Sequence, residues 1–235
     1  MKFFNRGLYA LILTIFLQSQ LVAEYLYKDE IIHNPSFNEE VEKLGKELYE
    51  KTGISLRLLM LRELPNGLTI VDYEREVMKE LSGPTILLTF SEMDAKVDIM
   101  ANDSSLYKYF DKKQVLSPVA SFVQAFTMAI FYSDSFESFK ATTSNYGGTI
   151  IPLLAGKAKK GNQIGKYSGS MYNGYADIAE QVAESKGIEL DNAVGSANKY
   201  SILVLKIIFY GIILIALIVY IRKKLYLRRQ KSETE

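Results

Sequence analysis

The chain of 235 residues has no cysteine and only one histidine. Without cysteine there is no disulfide, Cys-based zinc site, iron–sulfur cluster, thiolate nucleophile or covalently attached c-type haem. His33 alone cannot build a two-histidine zinc site, and it sits beside Asn34 and Pro35 rather than within a catalytic motif. No GxSxG elbow is present, which argues against a serine hydrolase of that type. No GxxxxGK[ST] or GxGxxG loop occurs either, so no nucleotide cradle is visible. Internal repeats are absent, and Gly211 stands alone without the second small residue of a GxxxG helix-pairing motif.

What is present is a nearly unbroken apolar run, Ile202–Ile221, followed at once by Arg222, Lys223, Lys224, Arg228, Arg229 and Lys231. About 20 apolar residues are what a helix needs to cross a bilayer, and flanking basic residues favour the cytoplasmic side. The N-terminus has the order of a secretory signal: Lys2 and Arg6, an apolar stretch Leu8–Leu17, and Ala23 at the cut. The sequence therefore predicts residues 1–23 as a signal peptide and 200–221 as a single transmembrane helix. The basic tail 222–235 lies in the cytoplasm and the bulk of the chain outside it, at the inner membrane. Glu24–Lys199 holds 19 Lys+Arg against 25 Asp+Glu, a net −6, which leaves +7 for the remainder. An acidic exported portion argues against nucleic acid as a partner. Within the run, Lys206 lies about one turn from the outer boundary, where a lysine can snorkel to the headgroups.

About 176 residues between the two apolar segments are enough for one domain that buries its own core. Ser36 and Glu39 read as a capping box, followed by an apolar helix face of Phe37, Val41, Leu44 and Leu48 that Gly53 ends. Ile54–Leu61 and Thr85–Phe90 read as strands buried on both faces. Thr69 and Asp72 cap a helix with Ile70, Tyr73, Val77 and Leu81 on one side. Ala95–Ala101 returns as a hairpin partner of Thr85–Phe90, with Val97, Ile99 and Ala101 facing one way. Helix starts are predicted at Ser117-Pro118 and near Ser135. Residues 24–156 form the predicted α/β domain, with a single mixed sheet flanked by helices. Residues 157–199 form a Gly/Ser/Tyr-rich connection, with Gly165–Gly174 as a loop and a helix over Tyr172–Ser185.

Val41–Ala155 resembles the TPM domain, a family named for a thylakoid lumen protein, a photosystem repair protein and a nematode receptor modulator. The likeness rests on Leu48-Tyr49-Glu50-Lys51-Thr52-Gly53-Ile54, on the strand Thr85–Phe90 with Asp94-Ala95-Lys96-Val97-Asp98-Ile99, and on Phe110-Asp111 before a helix. The chain departs from the family at Ala95 and Asp98, where basic residues are usual, and at Ala101-Asn102-Asp103, where the family has a glycine-rich turn. The resemblance implies an exported, membrane-anchored domain that helps assemble, maintain or regulate a membrane protein complex. Some family members act as phosphatases with a divalent metal held by acidic residues, which makes a metal-dependent phosphatase the alternative.

The residues that bear on that alternative are Asp94, Asp98, Asp103 and Asp111, expected near one end of the sheet. Asn102, Asp103 and Asp111 are the candidate ligands for Ca²⁺ or Mg²⁺, hard ions that prefer oxygen donors. A bound metal would polarise a phosphoryl oxygen. The same side chains equally suit a turn (Asp94), a solvated strand face (Asp98) and helix caps (Asp103, Asp111). The partners expected are the bilayer and a membrane protein complex.

Overall fold

The computed structural model describes residues 24–65, 67–158, 161–193 and 197–233. The predicted signal peptide, residues 1–23, lies outside the described residues, as do Asn66, Lys159 and Lys160. The chain divides into two compact units, one running to Pro118 and resuming over Gly148–Ala193, the other made of Val119–Gly147 and Val194–Glu235.

The first unit is an α/β domain built on one four-stranded mixed sheet. Its order is β1 (Leu26–Asp29), β2 (Ser55–Leu61), β3 (Thr85–Ser91) and β4 (Lys96–Ala101). The pairings β1–β2 and β2–β3 are parallel, and β3–β4 is an antiparallel hairpin. Apolar residues run almost without interruption through β2 and β3 because both faces of these strands are covered. On one face Leu56, Leu58, Met60, Ile86, Leu88 and Ile99 pack against α1 (Pro35–Thr52) and a long helix, Gln163–Ser185. On the other, Leu59, Leu61 and Leu87 pack against Ile70 and Val77 of α2 (Ile70–Glu80).

Several local expectations hold. Gly53 takes the left-handed conformation (φ 72°) that stops α1, and its N–H donates to the Tyr49 carbonyl. Thr69 caps α2, accepting from the Asp72 N–H while its hydroxyl donates to the Asp72 carboxylate. Others are corrected. Asn34, not Ser36, caps α1, because Pro35 at the first turn brings the Ser36 N–H onto the Asn34 side chain at 3.0 Å. The segment Glu24–Asn34 is more than a lead-in: it contributes edge strand β1, and Asp29 accepts from the N–H groups of Ile31, Ile32 and His33.

Beyond the hairpin come a 3-10 turn (Ser104–Lys108) and α3 (Lys112–Val115). The chain then leaves this unit at Ser117-Pro118 and re-enters at Gly148. Thr149 N–H donates to the Val115 carbonyl at 3.2 Å, and a Cβ on Gly148 would overlap the Ser117 carbonyl. Residues 119–147 are thus an insertion with adjacent ends. The helix start predicted at Ser117-Pro118 is displaced to Ser121, whose hydroxyl accepts from the Gln124 N–H.

The second unit holds α4 (Phe122–Tyr132), α5 (Phe136–Ser144, capped by Ser135 as predicted) and a continuous helix, Ala197–Glu233. Phe122, Phe126, Phe139, Tyr146, Phe209 and Tyr210 form one aromatic cluster, with ring centroids 5.3–6.0 Å apart.

The first unit is completed by α6 (Ile151–Ala155) and α7, the helix Gln163–Ser185; the C-terminal helix Ala197–Glu233 is α8. The loop expected over Gly165–Gly174 is therefore the first half of α7, and the stretch set aside as a connection supplies core: Met171, Tyr175, Ile178, Ala179 and Val182 are fully buried. Gly174 is there for close approach, since a Cβ would run into the Ile150 side chain. Residues 189–192 fold back onto α1. Glu47 accepts from the N–H groups of Asp191 and Asn192, from the Asn192 side chain and from Lys51 at 2.7 Å. Burial opposes its charge, but these four donors win and hold Glu47 down at about 2. The stability this contributes is fully present above the normal carboxylate range and is lost as pH falls through about 2. Glu47→Ala is expected to destabilise the fold by roughly 2–4 kcal/mol near neutrality, because three hydrogen bonds to a charged acceptor and its ion pair with Lys51 disappear. Urea unfolding at pH 7 and pH 3 checks this, with the difference between variant and parent narrowing at the lower pH.

Among the described residues no helix is long and apolar enough to cross a membrane. Four side chains within Ile202–Ile221, those of Ile202, Leu203, Leu205 and Lys206, lie outside the described ones.

Candidate functional site

The acidic residues singled out above are anchored by the β3–β4 hairpin and the turns that follow it. The register pairs Ser91 with Lys96 at the turn and Ile86 with Ala101 at the open end. Asp94 therefore sits at one end of the hairpin and Asn102-Asp103 at the other, about 17 Å away at 3.4 Å per residue. The expectation that all four aspartates gather near one end of the sheet is corrected by the length of the strands.

Each side chain has a structural task. The Asp94 carboxylate accepts from Ser91 Oγ and from the Leu64 N–H at 2.9 Å, closing the turn and tying down the loop after β2. These bonds hold its pKa below the ordinary value. Asn102 Oδ1 accepts from the Thr85 N–H at 2.9 Å, and its Nδ2 donates to the Gly83 carbonyl at 2.7 Å, locking the open end of the hairpin. Asp103 caps the 3-10 turn through the Ser105 N–H at 2.8 Å, which lowers its pKa. Asp111 caps α3 through the N–H groups of Lys113 and Gln114, both at 3.0 Å, and its own N–H donates to Gln181 of α7. Asn102, Asp103 and Asp111 are thus committed to backbone groups, and among the described residues no three His, Cys, Asp or Glu side chains gather as a metal would need.

Asp98 differs from the others. It lies opposite Thr89 in the sheet, and its carboxylate pairs with Lys112 Nζ at 2.6 Å. Behind it, on α2, is a residue that the sequence reading missed. Glu74 is fully buried, and neither of its carboxylate oxygens has a hydrogen-bond partner among the described residues. The Thr89 hydroxyl is likewise buried and unpartnered. Burial above all, with the nearby Asp98 charge adding to it, pushes Glu74 up to about 8, while Thr89 and Lys112 pull the other way without offsetting it. The signal was available: Glu74 stands four residues after Ile70 and three before Val77, on the apolar stripe of α2.

Two clefts flank this group. One, of about 730 Å³, opens where β3 turns into β4 and is bordered by Lys96, Asp98, Lys166 and Tyr167. Phe90 and Tyr167, both in its lining, lie tilted to one another with ring centroids 5.1 Å apart, and Lys166 Nζ donates to the Leu154 carbonyl at 2.9 Å. The other, of about 710 Å³, is a shallow basin around Lys108, Asp111, Lys113 and Gln181. No protein-family model and no curated protein matches the chain.

Proposed function

We infer that the chain is a single-pass membrane protein whose TPM-like α/β domain lies outside the cytoplasm. It acts by protein contact, assisting the assembly, maintenance or regulation of a membrane protein complex. The observation that carries this reading is α8. From Ile207 to Ile221 its described side chains are apolar apart from the hydroxyls of Tyr210 and Tyr220, and large residues on every side of the helix are exposed, among them Ile207, Ile212, Ile215, Leu217 and Val219. A helix apolar all round belongs in a protein core or a bilayer. Leaving each such side chain in water forgoes about 1.5–3 kcal/mol. The exposed Arg222, Lys223 and Lys224 follow directly, as the cytoplasmic flank of a span would. Of the acidic side chains that would serve a phosphatase, Asp94, Asp103 and Asp111 hold turns and caps and Asp98 is paired with Lys112, which favours contact over catalysis.

Crosslinking of the intact protein in its own membrane, paired with a phosphate-ester assay in Mg²⁺, Ca²⁺ or Mn²⁺, tests this. A discrete membrane-protein adduct and no metal-dependent turnover are expected. Asp111→Asn separates the roles of that residue. Asparagine is as good a cap as aspartate, so the variant is expected to keep the parent's stability, whereas Asp111→Ala loses about 1 kcal/mol. Metal-dependent turnover abolished by Asp111→Asn would replace the contact reading with the phosphatase.

A further inference from the structure

Resting on the membrane reading of α8, we propose that the α4–α5 hairpin is a second membrane element. It lies in the outer leaflet of the bilayer beside the span, its aromatic tip at the headgroup boundary, with lipid as its partner. The placement follows from ring contacts within the second unit. Phe122 packs on Phe209 and Tyr210 at 5.9 and 6.0 Å, and Phe126 packs on Phe209 at 5.3 Å. Phe209 is seven residues into the apolar run, about 10 Å below its outer end at 1.5 Å per residue. The N-terminal part of α4 is therefore held at hydrocarbon depth by the span itself.

The chemistry of the hairpin suits that depth. Residues 114–133 contain no Asp, Glu, Lys or Arg. The far end of α4 and the start of α5 carry the most exposed aromatic side chains of the chain's described residues: Tyr132 at 82%, Phe136 at 81% and Phe131 at 75%. Ile130 is exposed beside them. An apolar patch of this kind marks a contact surface, and its continuity with α8 makes lipid the occupant. The 11 residues of α4 reach about 16 Å, half of a hydrocarbon core, so the hairpin enters the bilayer without crossing it. Asp134, Glu137 and Lys140 follow the aromatic tip, where headgroups and water can solvate them, and aromatic residues concentrate at that boundary.

The absence of native cysteine makes the test direct. Single cysteines replacing Tyr132, Phe136, Ile212 and Met93 in the full chain would carry an environment-sensitive fluorophore. The labelled proteins would be reconstituted in phosphatidylcholine vesicles containing lipids brominated either near the headgroup or near the chain end. Labels at Tyr132 and Phe136 are expected to emit blue-shifted light and to be quenched most by shallow bromine. The Ile212 label is expected to be quenched most by deep bromine, and the Met93 label, on the β3–β4 turn, by neither. If the Tyr132 and Phe136 labels behave like Met93 while Ile212 is quenched, the hairpin proposal falls and the span stands. If Ile212 is also unquenched, the span reading falls and the hairpin with it. Hairpin labels shielded from water, untouched by bromine and self-quenching between copies would assign the surface to a second copy of the chain and overturn the lipid assignment.

Discussion

Replacing both Ile212 and Ile215 by arginine is expected to release the chain from the membrane pellet after alkaline extraction, while the double leucine variant stays bound. Both residues lie near the middle of the apolar run and are exposed on α8. An arginine at the centre of a spanning helix costs about 2.5–3.5 kcal/mol. Two together cost roughly 5–7 kcal/mol, a shift on the order of 10⁴ in the insertion equilibrium. Among the described side chains from Ile207 to Ile221 no charged group is present to offset that penalty. The effect acts on insertion and not on the α/β domain, whose core draws on none of these residues. Circular dichroism of the released protein should therefore retain the signal of the mixed sheet and its helices. Unchanged pelleting of the arginine variant would mean that α8 is held by protein and not by lipid.

The second large effect concerns Glu74. Its carboxyl binds a proton up to about pH 8 in the folded chain and only to the ordinary carboxylate range in the unfolded one. Between those limits the folded state holds more protons, so stability falls as pH rises. At 1.36 kcal/mol per unit, the loss between pH 5 and pH 8 is on the order of 3–4 kcal/mol. Glu74→Gln removes the titration while keeping the shape. The variant is expected to match the parent near pH 5 and to be more stable by several kcal/mol at pH 8, read as urea midpoints in detergent solution. The groups facing the site are Asp98 and Lys112, and their ion pair is retained in the variant. An equal pH slope in parent and variant would show that Glu74 is ionised in the fold and that its neighbours stabilise the charge.

Helix α8 and Glu74 also mark where sequence reading succeeds and fails. The apolar run of α8 is visible because only Lys206 brings a charge into it, and β2 and β3 because strands covered on both faces cannot alternate. The hairpin register followed from Val97, Ile99 and Ala101, all of which turn to the α1–α7 side. Strand β1 escaped notice because Leu-Tyr-Lys-Asp has no pattern of its own and pairs only when β2 is there to receive it. The start of α7 was hidden by Gly165, Gly169 and Gly174, which lower helix propensity; packing against Ile150 overrides it. The site suffered from a distance error: Asp94 and Asp103 are near in sequence but separated by a full strand. Glu74 was overlooked because a carboxylate on an apolar stripe was read past, although burial makes it the most perturbed acid of those described.

The most direct measurement of the central claim is sidedness. Met93→Cys on the domain and Ser232→Cys in the basic tail, each in the full chain, would be exposed to a membrane-impermeant maleimide in sealed cells and in inverted vesicles. The account expects Met93→Cys to react from the outside only and Ser232→Cys from the cytoplasmic side only. Labelling of both from the same side would contradict it.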